Sequence, residues 1–213
     1  MPSDLWFPGA ERLPGPARKT SGESLPKQGV VLHSMEGSWA SSQRVLMAHD
    51  GGSWHFSNLK DGKLYQHYPL QAIAWHARGG NTKYIGVEHE GVAGQKLTEL
   101  QIDTDVTLIR WLKEVCDWDE LSRSRPDGNM VEHQEVGIES NYVTACPSRR
   151  IPWVKIMVRA EKEDKVELLK QLEKNANYRS VLGVLSERAG AGVKPAQLEI
   201  DWARLVLAEM EKA

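Results

Sequence analysis

Short apolar runs separated by turn residues predict a series of strands in the middle of the chain. Residues 30–32 are predicted as a buried strand that ends on His33, and residues 84–88 and 130–133 are predicted as two more. An Asp61-Gly62 pair between two alternating segments predicts a hairpin turn. The three strands are predicted to end on His33, Glu88 and His133.

Two amphipathic segments predict helices between the strands. Residues 41–49 form the first, with Ser41 or Ser42 as its N-cap. Residues 98–117 form the clearest helix, because a capping box opens it and apolar residues recur at helical spacing. Strands that alternate with helices predict an α/β fold. We expect a central mixed β-sheet flanked by helices on both faces, with a functional groove at one sheet edge.

Composition divides the chain of 213 residues into three parts. Residues 1–29 are rich in proline, glycine and charge, and are predicted as an extended N-terminal arm packed on a domain surface. Residues 30–154 contain the predicted strands and helices and form the main domain. Residues 155–213 are charged and punctuated by leucine, which predicts a small C-terminal helical appendage whose role the sequence leaves open.

Charge and cysteine content exclude several classes of protein. A formal net charge of -2 gives no broad electrostatic basis for binding nucleic acid. No apolar run is long enough for membrane insertion, and residues 1–16 lack the apolar core of an export signal. We therefore expect a protein made in a cytoplasm. Two cysteines are too few for a disulfide framework, and Cys116 falls on an apolar helical stripe, which predicts a buried thiol.

Three side chains of metal-ligand type lie at or just beyond predicted strand ends: His33, His133 and Cys146. Two imidazoles and one thiolate suit Zn²⁺ and leave its fourth position open, as catalytic zinc sites require. Their spacing alone forms no motif, and a histidine is more often an ordinary hydrogen-bonded residue than a ligand.

Five short segments occur in one order along residues 28–153. They are Leu32-His33-Ser34; Ser53-Trp54-His55-Phe56 with Asp61-Gly62; Ala74-Trp75-His76-Ala77; Ile85-Gly86-Val87-Glu88; and His133 with Thr144-Ala145-Cys146-Pro147. Each is weak alone, but the ordered series closely resembles the type-2 N-acetylmuramoyl-L-alanine amidases. That family includes phage amidases, a cytoplasmic muropeptide-recycling amidase and the animal peptidoglycan recognition proteins.

The resemblance implies one Zn²⁺ per chain and assigns roles around it. His33 and His133 match the two zinc histidines, and Cys146 matches the third ligand. Glu88 matches the acidic residue that recycling-type enzymes use as general base; the alternative is a strand carboxylate paired with a lysine or arginine. Thr144 matches a position that helps to hold the developing oxyanion; the alternative is that it caps its own loop.

Further positions are predicted to contact substrate. His76 matches a cleft residue that lies against the substrate in this family. Trp54 stands where many members have a tyrosine that assists catalysis, and its indole donates one hydrogen bond but cannot shuttle a proton. We therefore assign Trp54 to substrate binding. Trp75, Arg78 and Asn81 are predicted to line a groove for glycan and peptide.

The function implied is hydrolysis of the amide bond between N-acetylmuramic acid and L-alanine in bacterial peptidoglycan, by a lytic endolysin of phage or prophage origin. Such an enzyme would reach the cell wall after the membrane is breached. A cytoplasmic muropeptide-recycling amidase and a non-catalytic peptidoglycan-binding module are the alternatives, and Cys146 favours an enzyme because binding-only members typically lack the third ligand. The appendage could bind wall, dock or dimerise, and the oligomeric state stays open.

Overall fold

The computed structural model describes residues 5–123, 128–139 and 141–161 of the chain. One compact unit comprises Met1–Ala160. The helices predicted between residues 162 and 213 lie outside the described residues, so the division into arm, main domain and appendage stays a prediction. Within the described ranges no helix combines the length and apolarity that crossing a bilayer requires.

The described residues contain eight strands in two sheets. They are β1 (Glu11–Arg12), β2 (Thr20–Glu23), β3 (Gly29–Ser34), β4 (Phe56–Asn58), β5 (Leu64–Gln66), β6 (Ala72–Ala74), β7 (Tyr84–His89) and β8 (Met130–Glu132). The larger sheet has the order β1-β5-β4-β7-β3-β8, while β2 pairs with β6. The hairpin β4–β5 is antiparallel and the other pairs of the larger sheet are parallel. The predicted mixed sheet is therefore confirmed.

Three helices connect or follow these strands: α1 (Trp39–Met47), α2 (Glu99–Val115) and α3 (His133–Glu139). The first helix begins at Trp39, two residues before the predicted start. Its N-cap is Ser38 rather than Ser41 or Ser42, because the Ser38 side chain accepts the N-terminal hydrogen bond. The predicted capping box of α2 is present. We expected residues 130–133 to be strand followed by a loop, whereas β8 ends at Glu132 and His133 opens α3. Residues 153–161 are also helical.

The two faces of the larger sheet carry separate apolar clusters. On β3, Val30 and Leu32 face α2 and belong to the main core, which also includes Cys116, the buried thiol that the sequence predicts. Val31 faces the other way and packs with Val136 of α3. Strand alternation therefore places His33 on the α3 face, at the carboxyl end of its strand.

The predicted arm is more ordered than an extended surface segment. Its residues form β1, which pairs with β5, and β2, which pairs with β6. Between them Lys19 is fully buried, and its ammonium donates to the carbonyls of Val45, Leu46 and Asp50. Val45 and Leu46 belong to the last turn of α1, where a positive charge is stabilising. These hydrogen bonds attach the predicted arm to α1.

Candidate metal centre

Parallel pairing of β3 with β7 brings two predicted site residues side by side. His33 is in register with Glu88, so both side chains leave the same face of the sheet. The imidazole Nδ1 of His33 lies 3.8 Å from Oε1 of Glu88. On the other side of β3, β8 ends one residue before His133, whose ring centroid lies 4.6 Å from that of His33.

The side chains of His33, His133 and Cys146 converge on one point. One donor atom from each lies within 4.8 Å of the other two. Nδ1 of His33 is 3.6 Å from Sγ of Cys146. Tetrahedral zinc with Zn–N near 2.0–2.1 Å and Zn–S near 2.3 Å separates two such atoms by about 3.6 Å. Both the donor types and this spacing therefore fit a zinc ion.

Burial shifts the pKa of each of three titratable groups at the site towards its neutral form. Burial, reinforced by Glu88, raises the pKa of the Cys146 thiol to about 12, and burial raises the pKa of Glu88 to about 7. Burial keeps the pKa of His33 well below its usual value, so that its ring is neutral. Oε2 of Glu88 has no hydrogen-bond partner among the described residues. A bound divalent cation would favour ionisation of both acids.

His76 lies behind the first ligand rather than out in the cleft. It is 8% exposed, and its Nδ1 is 3.1 Å from Nε2 of His33. Its own Nε2 is 3.0 Å from the carbonyl oxygen of Tyr84. Since a carbonyl only accepts, His76 is protonated on Nε2, and its bare Nδ1 accepts from Nε2–H of His33. This arrangement leaves Nδ1 of His33 as the free lone pair that faces Cys146.

Gly86 on β7 leaves the space that the ring of His76 occupies behind His33. A Cβ atom at Gly86 would lie 2.6 Å from Cγ of His76, closer than any ordinary contact. The ring of His76 therefore packs directly on the backbone of the strand that carries Glu88. Asn81 shapes the same turn, because its Oδ1 accepts from the backbone N–H groups of His76 and Ala77.

Two buried groups hold the strand ends that carry His33 and Glu88. His89 donates from Nδ1 to the carbonyl of His33 and from Nε2 to both carboxylate oxygens of Asp105 on α2. Burial opposes the charge on His89, but the Asp105 carboxylate overcomes it and raises the pKa of His89. Arg150, 4% exposed, donates to the Ser34 hydroxyl and to the backbone carbonyls of His89, Glu90 and Gln95.

Thr144 lies beside the third ligand, next to an open cleft. Its Oγ1 accepts a hydrogen bond from the backbone N–H of Cys146, which is the loop-capping contact that the sequence offers as the alternative. Because the hydroxyl accepts in this bond, its own proton can be donated to a ligand. The adjoining cleft has a volume of about 490 Å³. Its lining consists of Gln134, Glu135, Gly137, Asn141, Tyr142, Val143 and Thr144.

The two tryptophans assigned to substrate contact differ in their surroundings. Trp54 is 6% exposed, and its indole N–H donates to Oγ of Ser57, so little of the ring is open to a ligand. Trp75 is 36% exposed and donates to Oγ of Ser21 on β2. The position of Trp75 is compatible with a groove wall, whereas Trp54 belongs to an apolar cluster with Leu46 and Tyr68.

Comparison with known proteins decides the family. A family model described as N-acetylmuramoyl-L-alanine amidase matches residues 23–149. The chain belongs to this family. The matched range of the amidase domain contains His33, Glu88, His133 and Cys146 together. The sequence matches none of the curated proteins with which it was compared.

Solved structures show the same amidase fold. A selenomethionine derivative of AmpD has 19% identity and a TM-score of 0.58, covering 72% of this chain and 96% of its own. A mutant endolysin from Bacillus subtilis has 23% identity and a TM-score of 0.54, covering 70% and 96%. The Drosophila peptidoglycan recognition protein SD has 15% identity and a TM-score of 0.52, covering 67% and 86%.

The sequence did not reveal several residues that organise this amidase site. Arg150 stands in a polar stretch after Cys146 and gives no sign of burial. Tyr142, whose ring lies 5.9 Å from that of His133, follows no recognisable pattern. Asp105 did leave a signal, because it interrupts the apolar stripe of α2 between Ile102 and Val106 and so required a buried partner.

Proposed function

We propose that this chain is a zinc-dependent N-acetylmuramoyl-L-alanine amidase that cleaves the amide bond between N-acetylmuramic acid and L-alanine in peptidoglycan. The observation that carries the proposal is the convergence of His33, His133 and Cys146 within 4.8 Å, beside a carboxylate with a free oxygen. Three protein ligands leave one position of a zinc ion open, as a catalytic site requires. When bound, zinc supplies Lewis-acid polarisation of a carbonyl and makes water a better nucleophile at neutral pH.

Glu88 is the group that we propose moves the proton. Its Oε2 accepts a proton from the attacking water and delivers it to the nitrogen of the leaving L-alanine. Burial raises the pKa of Glu88, and a bound divalent cation would oppose that rise, so the carboxylate can accept a proton near neutral pH. The alternative role for Glu88 is an ion pair with a lysine or an arginine. Among the described side chains, none of either kind lies within 4 Å of its carboxylate.

Thr144 is proposed to donate to the developing oxyanion. Its Oγ1 is fixed by the backbone N–H of Cys146, and this bond orients the hydroxyl without using its proton. A donor that is held in place before the reaction stabilises negative charge at little reorganisation cost. Loop capping and oxyanion binding are therefore compatible at this residue.

Mass spectrometry of the products from intact peptidoglycan tests the amidase proposal. We expect intact glycan strands and stem peptides with free L-alanine amino termini. Glu88→Gln should keep zinc and lose roughly 10²–10⁴-fold in rate, whereas His133→Ala should lose zinc as well. Cut glycan strands or cut cross-bridges would contradict the bond assignment. Wall binding without any product would favour a non-catalytic binding module.

We further propose a lytic role, in which the enzyme acts on polymeric wall after the membrane is breached. Matched rates on purified sacculi and on soluble anhydro-muropeptides test this role. A higher kcat/KM on sacculi supports a lysin. Activity confined to the soluble muropeptides would contradict it and indicate a recycling amidase.

A further inference from the structure

Arg78 lies beside the proposed metal ligands, and its positive charge is not paired with any carboxylate among the described residues. The guanidinium carbon of Arg78 lies 4.1 Å above the ring of Tyr142, and that ring lies 5.9 Å from the ring of His133. Arg78 is exposed, and among the described residues no carboxylate forms an ion pair with it and no acceptor takes a hydrogen bond from its side chain. Its five N–H donors are therefore available to a ligand.

The backbone of Arg78 is held in an unusual conformation. Its φ is +45°, in the left-handed region that residues with a side chain seldom adopt. A glycine would be easier to accommodate there, and Gly79 and Gly80 follow directly. Strained residues of this kind persist where the surroundings fix them, often at ligand sites. Here the strain lies in the turn that also carries His76.

Tyr142 connects the arginine to the cleft. Its ring is part of the wall of the cleft that also includes Thr144, the proposed oxyanion donor. Stacking on an aromatic face orients the planar guanidinium and leaves its edge donors free. The guanidinium therefore lies at the rim of the cleft, and the ring of Tyr142 lies between it and His133.

We propose that Arg78 is a specificity residue that binds the α-carboxylate of the second residue of the stem peptide. This inference rests on the proposed amidase function. In the stem peptide that carboxylate belongs to D-glutamate, one residue beyond the scissile nitrogen and roughly 5–6 Å from it when extended. A guanidinium edge pairs with a carboxylate through two parallel hydrogen bonds. Peptidoglycan in which this carboxylate is amidated offers no such charge, so the enzyme discriminates against it.

Two disaccharide-tetrapeptides that differ only at the second residue, D-isoglutamate or D-isoglutamine, test the inference with the full zinc-loaded chain. We expect wild type to favour the acid by about tenfold in kcat/KM, chiefly through KM, because the carboxylate is remote from the reacting bond. Arg78→Gln should lose that preference, so that the acid and the amide are cleaved with similar kcat/KM. Arg78→Lys should recover part of the preference, and Arg44→Gln, on an exposed part of α1, should leave it unchanged.

Calorimetric binding of the same two compounds separates failure of this inference from failure of the amidase function. Cleavage of both substrates at equal rates by wild type would overturn the role of Arg78 and leave the amidase function standing. Absence of cleavage, with tighter binding of the acid that Arg78→Gln abolishes, would overturn the function and keep the carboxylate site. Equal binding and no cleavage would overturn both.

Discussion

At the scale of single residues, the site depends on which nitrogen of His33 faces Cys146 and Glu88. The chain of hydrogen bonds from His33 through His76 to the Tyr84 carbonyl fixes one tautomer of each ring. Partners of this kind behind a ligand typically contribute 10–100-fold to metal affinity. His76 is thus a positioning residue, and its contact with His33 differs from the substrate contact that the family resemblance implies.

His76→Ala is expected to lower the affinity for Zn²⁺ by roughly 10–100-fold, because Nε2–H of His33 loses its acceptor. His76→Asn should restore most of the affinity, since an amide oxygen can take the place of Nδ1. Competition with a chromophoric chelator measures the affinity on folded protein, independently of activity. His49→Ala is the matched control, because His49 is exposed and, within the described part of the chain, its side chain hydrogen-bonds to Asp50. An unchanged affinity in His76→Ala would show that the hydrogen bond between His76 and His33 does not support metal binding.

The sequence predicted the candidate ligands that the structure brings together, but not the hydrogen-bond network behind them. His33, His133 and Cys146 were recognisable because they stand in an ordered series of short segments. The role of His76 depends on ring orientation and on the close approach that Gly86 permits, and neither is encoded in residue spacing. Burial of Arg150 is equally a property of the assembled loops.

At the scale of secondary-structure elements, a buried ion pair joins α2 to the strands of the site. His89 follows Glu88 on β7 and donates to both Asp105 on α2 and the carbonyl of His33 on β3. Both partners are at most 1% exposed. Removing one partner of such a pair is costly, because the other is left uncompensated in the interior.

Asp105→Asn is expected to destabilise the fold by about 2–4 kcal/mol, measured by urea denaturation at neutral pH. The amide keeps the shape and the bond from Asn58, but it removes the charge that stabilises protonated His89. Asp103→Asn is the control on the same helix, because Asp103 is 52% exposed and its pair with Arg159 should contribute less than about 1 kcal/mol. Equal losses in the two variants would contradict the importance of the buried pair.

Boundaries of elements were harder to predict than their existence. The strands at Val30 and Tyr84 and the long helix α2 follow from apolar periodicity and a capping box. The switch from strand to helix at His133 does not, because residues 133–139 carry few apolar positions and their helix is only seven residues long. The arm strands β1 and β2 escaped prediction because their residues are mostly exposed and polar, and their pairing with β5 and β6 is long-range.

At the scale of the whole molecule, a lysine buried in the interior makes stability depend on pH. Lys27 is 1% exposed, and its ammonium donates to the carbonyls of Ala72 and Thr82. Burial lowers the pKa of Lys27 to about 8 from 10.5, and burial raises the pKa of the nearby Cys116 thiol to about 11 from 9.0. A neutral amine still has two N–H donors, so both carbonyls stay satisfied when Lys27 loses its proton.

These two shifts act in opposite directions above neutral pH. Between pH 8 and 10.5 the unfolded chain keeps the Lys27 proton that the folded chain releases, so stability rises with pH. Between pH 9 and 11 the folded chain keeps the Cys116 proton that the unfolded chain releases, so stability falls. We expect the free energy of unfolding to increase by roughly 0.6 kcal/mol from pH 8 to 9 and then to level off.

Urea denaturation at pH 7, 8, 9 and 10 on wild type and two variants separates the two contributions. Lys27→Met should abolish the increase between pH 8 and 9 and leave a decline above pH 9, because only the thiol still titrates differently in the folded state. Cys116→Ala should remove that decline, so that stability keeps rising towards pH 10. Exposed groups titrate alike in all three proteins, so differences between the profiles isolate the buried pair. A Lys27→Met profile parallel to that of wild type would show that Lys27 keeps an ordinary pKa in the folded protein.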